Sequence, residues 1–267
     1  MNRELYNRTV PCKTEDERKS AELHGANDVF PDLLSHDLRG SMNVILNYSE
    51  LLMAKNRSLT QLQQEDYIRE VYLTALQTSN LLDNLLLWTQ LKSRKITASP
   101  EVFQALDVIN DLLFLIKTES KSGDVLFFDE FVADEWVKAD IGMFSKIVKI
   151  LIYNALQQSP DHGKVFIRMY KHDDVLSVEV EDQGPSLPED LLNGTAGVES
   201  LMMRRSVMIN QVAMLGLVVS RDLAELNDGR LVVSAQPGRY NRIGFTVPLA
   251  SEIEIARVYE EIKRETC

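Results

Sequence analysis

The spacing of apolar residues between positions 34 and 52 constrains this chain most. In LSHDLRGSMNVILNYSELL, Leu34, Leu38, Ser41, Ile45, Tyr48 and Leu52 recur at steps of 4, 3, 4, 3 and 4. That alternation lines one side of an α-helix with a heptad seam. A second stretch, YIREVYLTALQTSNLLDNLLLWTQL, repeats it at Ile68, Val71, Ala75, Thr78, Leu82 and Leu85. Between them AKNRSLTQLQQED breaks the pattern, so the two helices read as an antiparallel hairpin. One hairpin buries a single face of each helix. Two hairpins in a four-helix bundle bury both seams, so a homodimer is expected.

His36 lies two residues from both Leu34 and Leu38, which turns it away from the seam and toward water. An acid, Asp37, follows at once. His24, His162 and His172 stand in polar or turn contexts and read as surface histidines.

Pro100 in KITASPEV marks a boundary. Helices are expected in QALDVINDLLFLIKTES, IGMFSKIVKILIYNALQQS and LVVSRDLAELN, the last closed by Gly229. Strands are expected in DVLFFDEF, KVFIRMYKH, VLSVEVEDQG, RLVVSAQ and RIGFTVPL. Helices interleaved with antiparallel strands form a two-layer α/β sandwich. The fold class is therefore α+β. It comprises a flexible leader at 1–28, the hairpin at 29–97, the sandwich at 98–250 and a C-terminal helix or linker at 251–267.

A hydrophobic content of 45% suffices for a core, and a formal charge of −11 opposes a nucleic-acid partner, which calls for clustered Lys and Arg. Cys12 and Cys267 stand in no ligand spacing and read as reduced thiols of a cytoplasmic protein. No apolar leader and no run of about 18 apolar residues is present, so no membrane span is expected in this chain.

SHDLRGSMNVILNYSELL resembles the phosphoacceptor box of the sensor histidine kinases, and LLDNLLLWTQLKSRKI resembles the end of their second hairpin helix. The remainder resembles the ATP-binding domain shared by histidine kinases, DNA gyrase, heat-shock 90 chaperones and MutL proteins. The resemblance covers about residues 30–250. It implies a two-component histidine kinase that takes the γ-phosphoryl group of ATP onto His36 and passes it to a receiver-domain aspartate of a response regulator. A neutral imidazole can attack phosphorus through one nitrogen while a carboxylate holds the N–H of the other, and Asp37 is that carboxylate. Arg39 would contact a phosphate or brace the bundle.

ILIYNALQQSP resembles the asparagine box, so Asn154 is implied as the ligand of magnesium between the phosphates. The family usually has a polar residue where Ile150 stands and a basic one at Gln157. VEDQGPSLP resembles the first glycine box. Asp182 is implied to accept from the adenine amino group, and Gly184 to let backbone approach the base, with Ser186 at the second glycine. NQVAMLGLVVSRDLAEL resembles the second glycine box, usually Gly-x-Gly-Leu-Gly-Leu, and keeps Leu215, Gly216 and Leu217. Val212 and Met214 replace glycines that let helix amides reach the triphosphate, and side chains there are expected to crowd the phosphates. Arg204 and Arg205, in the lid between the boxes, either meet phosphate or are solvated.

Those departures leave an alternative: a phosphotransfer or scaffold module whose ATP-binding domain is degenerate and whose His36 is charged by a partner. A gyrase-like or chaperone-like ATPase fits less well. Such enzymes need a general base for water near the asparagine, and Ile150 cannot serve.

Overall fold

The structure is a computed structural model that describes residues 38–54, 59–119, 126–131, 135–159, 163–185, 187, 211–236 and 238–265. It divides into two compact units between Val71 and Tyr72. The division falls inside a helix rather than near Pro100.

In the first unit, helix α1 covers 38–54, and helix α2 begins at Gln61 and runs to Lys92 in the second unit. The half-buried positions of α1 include Leu38, Ser41, Ile45, Tyr48 and Leu52, the seam read from spacing. Met42, Leu46 and Met53 are exposed on another face. Helix α2 starts ahead of its apolar pattern because Thr60 and Gln63 form a capping box. The Thr60 N–H donates to Gln63 Oε1 at 3.0 Å, and the Gln63 N–H donates to Thr60 Oγ1 at 3.3 Å. The Tyr48 and Tyr67 rings meet with centroids 5.1 Å apart.

On α2 the buried and half-buried seam is Tyr67, Val71, Thr74, Thr78, Leu81 and Leu85. Val71, Thr78 and Leu85 agree with the expected seam. Ile68, Ala75 and Leu82 do not: they are exposed, one residue along from Tyr67, Thr74 and Leu81. Helix α2 therefore carries two adjacent apolar stripes, and spacing alone does not say which of them packs.

The second unit holds a five-stranded sheet flanked by helices. In chain order it contains β1 (Glu101–Gln104), α3 (Ala105–Glu119), β2 (Leu126–Phe131), β3 (Trp136–Ala139), α4 (Ile141–Gln158), β4 (Lys164–His172) and β5 (Val175–Asp182). After residues outside the described set come α5 (Gln211–Leu226), β6 (Leu231–Gln236), β7 (Tyr240–Pro248) and α6 (Glu252–Glu265). The large sheet has the order β2-β4-β5-β7-β6, parallel only between β2 and β4. The alternation of β4 buries Val165, Ile167 and Met169, while Phe166, Arg168 and Tyr170 lie on the other face. Phe144 of α4 packs edge-on against Phe245 of β7, ring centroids 5.3 Å apart.

Two four-residue strands were not expected from the sequence: β1 and β3 pair antiparallel in a small second sheet. The tail docks beside it. Ala250 N–H donates to the Trp136 carbonyl at 2.8 Å, the Tyr259 ring lies 5.5 Å from that of Trp136, and Lys138 pairs with Glu254 at 2.7 Å. Ser251 caps α6 in a second capping box with Glu254. The lower end of α2 is tied to α5 by Lys92 and Asp222 at 3.4 Å, which is why it groups with the sandwich.

Candidate functional site

Asp182 closes β5, and Asn241 stands directly opposite it on β7. Asp182 is 5% exposed. Its Oδ1 accepts from the Gly184 N–H at 2.7 Å and from Asn241 Nδ2 at 3.0 Å. Among the described residues no donor reaches Oδ2. Burial pushes the carboxyl above its ordinary value of 3.8, Asn241 and Gly184 pull it back, and neighbouring Glu181 raises it again. Glu181 is held by Arg168 at 2.6 Å and by Arg242 at 2.7 Å, which fixes the end of the strand.

Asn241 is the residue that sequence reasoning missed. It is 3% exposed, and its Nδ2 also faces the carbonyls of Gly184 at 3.3 Å and Pro185 at 2.9 Å. Its Oδ1 accepts from the Leu187 N–H at 3.2 Å. One amide thus shapes the whole turn after β5. The available signal was an asparagine inside a strand, where its propensity is low. Gly184 is required by close approach to α4: a Cβ there would lie 2.6 Å from the Gln158 carbonyl oxygen and 2.9 Å from Asp182 Oδ1.

The other wall is made by α4 and α5. Asn154, half-buried near the end of α4, donates from Nδ2 to the Ala213 carbonyl at 3.2 Å. That bond orients the amide, and no described donor reaches Oδ1. Gly216 sits against it: a Cβ there would lie 2.8 Å from Ile150 Cγ2 and 3.1 Å from Asn154 Nδ2. Ile150 is thus a packing residue of the α4–α5 contact, paired with the glycine. Gln157, one turn beyond Asn154, has its Oε1 buried with no hydrogen-bond partner among the described residues.

The second glycine-box residues lie inside a helix. Helix α5 begins at Gln211, so the N–H groups of Leu215, Gly216 and Leu217 are spent on carbonyls four residues back. Leu215 and Leu217 are core residues, 0% and 2% exposed. Met214 is 3% exposed and belongs to the core. Neither position 212 nor position 214 carries a glycine, which would cost a helix about 1 kcal/mol. His36, Asp37, Ser186, Arg204, Arg205 and the lid lie outside the described residues, as does the side chain of Val212.

Residues 139–251 match the family described as histidine kinase-, DNA gyrase B-, and HSP90-like ATPase. Residues 139–251 therefore carry a domain of that family. It is 24% identical over 243 residues to the non-motile and phage-resistance protein of Caulobacter vibrioides, covering 89% of this chain and 29% of that one. Histidine protein kinase DivJ of the same organism is 23% identical, covering 81% of this chain and 36% of the relative. The aerobic respiration control sensor protein ArcB of Escherichia coli is 25% identical, covering 84% and 29%. The chain thus spans about a third of the length of these curated relatives.

Among solved structures, histidine kinase ThkA in complex with the response regulator protein TrrA superposes with a TM-score of 0.60 at 18% identity, over 88% of this chain and 66% of that one. The histidine kinase AdeS of Acinetobacter baumannii gives 0.56 at 16% identity, over 81% of this chain and 98% of that one. Both share the fold, a helical region followed by the α/β ATP-binding domain.

Proposed function

We propose that this chain is the phosphotransfer and ATP-binding core of a two-component histidine kinase. Asp182 Oδ2 receives the adenine amino group, and Asn154 Oδ1 would help to hold a magnesium ion. The ion, when bound, would offset phosphate charge. His36 attacks the γ-phosphorus with one ring nitrogen; the bond to the bridging β,γ-oxygen breaks, ADP leaves, and Asp37 holds the opposite N–H. The phosphoryl group then passes to an aspartate of a response-regulator receiver domain.

The observation that carries this reading is the Asp182 carboxylate. It is buried, anchored through one oxygen by Asn241 and Gly184, and left with a free acceptor, which is wasteful unless a ligand donates to it. Incubation with ATP and magnesium is expected to give an acid-labile, base-stable phosphoryl adduct, absent in His36→Gln. Tight nucleotide binding without labelling would refute the kinase activity.

The helical course of α5 through 212–217 favours a second reading, a phosphotransfer or scaffold module that does not use ATP. Calorimetric titration with ATP and magnesium separates the two, since that module gives no binding heat.

The protein acts as a homodimer in this proposal. The exposed stripes Met42, Leu46 and Met53 on α1 and Ile68, Tyr72, Leu82 and Leu86 on α2 are the faces a second copy covers. Leu46→Glu with Leu82→Glu is expected to convert the dimer to monomer in sedimentation. No helix among the described residues is long and apolar enough to cross a membrane. Action in the cytoplasm belongs to the same proposal.

A further inference from the structure

We propose that Asp140 is a positioning residue for phosphoryl transfer: it clasps the segment leaving the hairpin to the start of the helix that carries Asn154. The proposal rests on the kinase reading above.

Helix α2 ends in a left-handed turn, with Arg94 at φ 52° and the Lys95 N–H donating to the Gln90 carbonyl at 3.1 Å. The chain then runs to Ser99, whose N–H donates to Asp140 Oδ2 at 3.0 Å across 41 residues of sequence. The other oxygen of the same carboxylate, Oδ1, caps α4 by accepting from the Met143 N–H at 3.0 Å. Burial raises the Asp140 carboxyl, but the N–H groups of Ser99, Met143 and Gly142 outweigh that and hold it below 3.8. It is therefore ionised at neutral pH, and both oxygens accept. Strand pairing continues the tie at once, with Glu101 opposite Ala139.

Asp140 is also joined to α5. Its N–H donates to Asn227 Oδ1 at 2.6 Å, and Asn227 Nδ2 donates to the Leu223 carbonyl at 2.8 Å. At the opposite end of α4, Asn154 bonds the start of α5 through Ala213 at 3.2 Å. An asparagine therefore pins the α4–α5 pair at each end. Asn154 lies about 21 Å along α4 from Asp140 at 1.5 Å per residue. The clasp joins the exit segment to that pair without touching the nucleotide wall. It sets where the hairpin leaves the domain, and not how the nucleotide is held.

Two variants cut the Ser99–Asp140 bond from opposite sides. Asp140→Asn keeps an oxygen to cap α4 but replaces the second acceptor with a donor. Ser99→Pro removes the N–H. Pro100 already holds residue 99 extended, which suits a proline. Each variant is expected to lower kcat for His36 phosphorylation about tenfold with KM for ATP unchanged, and the double variant to be no worse than either single one. Hydrogen exchange of residues 96–104 is expected to quicken in both variants, while that of α4 does not.

An unchanged kcat, a rise in KM with the fall in kcat, or an effect confined to Asp140→Asn overturns the clasp. The last result would place the defect in the α4 cap. If the wild-type chain never labels His36, the kinase reading fails on its own account. The exchange experiment then decides the clasp alone: unaltered exchange at 96–104 overturns it, and faster exchange in both variants upholds it.

Discussion

The two walls of the proposed nucleotide site are built on opposite principles. The β5–β7 wall is made of side chains held in register: Asp182 faces Asn241 across an antiparallel pair, and the glycine between them and α4 has no room for a Cβ. The α4–α5 wall is made of helix packing. Gly216 lies under Ile150 and Asn154, and Met214 and Leu215 are in the core. The difference teaches where such a site tolerates change. In the helical wall the amides of residues 215–217 are consumed by the helix, so change there acts through side-chain packing. A wall fixed by a buried hydrogen-bonded amide cannot change one residue at a time, since each partner left behind is unsatisfied.

The comparison is broken most severely by returning glycine to the helical wall. Met214→Gly removes a core side chain and weakens the helix, so it is expected to cost about 3–5 kcal/mol of stability in urea unfolding. A variant as stable as wild type would show that Met214 is no core residue. In the other wall, Asn241→Ala strands the Leu187 N–H and strips a donor from Asp182, for an expected loss of about 2–3 kcal/mol. If the loss is below about 0.5 kcal/mol, water replaces the amide and the turn is not organised by it.

Asp182→Asn keeps an oxygen for Gly184 and Asn241 but replaces the free acceptor. Adenine-nucleotide affinity is expected to fall by about 1.5–3 kcal/mol while the fold is retained. The pH dependence sharpens this. A carboxyl raised by burial favours the folded state least when ionised, so its penalty grows as pH rises from 3.8 through the raised folded value and is constant above. The variant should gain stability relative to wild type across that window, and a constant difference would mean the carboxyl is not desolvated. The smallest effect is expected from Gly216→Ala. Its Cβ meets the Cγ2 methyl of Ile150 rather than backbone, and the helix propensity gained offsets only part of that contact with a stiff, buried side chain, leaving about 1–2 kcal/mol. Gly184→Ala meets a backbone carbonyl and should cost more than Gly216→Ala in the same assay.

Elements with a strong period were legible from the residues alone. The alternation of Val165, Ile167 and Met169 gave β4 to the residue, and the α1 seam was read with its buried positions. Short or doubly apolar elements were not. β1 and β3 are four residues each, too short to show an alternation, and exist because they pair with one another. At Ile68, Ala75 and Leu82 the expected seam of α2 falls on positions exposed in the single chain, because both stripes are apolar. The early start of α2 was written in Thr60 and Gln63, a capping pair with no apolar run beside it.

The sequence by itself determined the hairpin, the order of helices and strands, and the presence of Asp182, Gly184 and Asn154, because periodicity and local motif chemistry act between residues close in the chain. Only the tertiary structure decided that Asn241 holds Asp182, that Gly216 and Ile150 are partners, and that Asp140 ties Ser99 to α4. Those contacts span 59, 66 and 41 residues. Such pairings are set by strand register and helix packing, which no local pattern encodes.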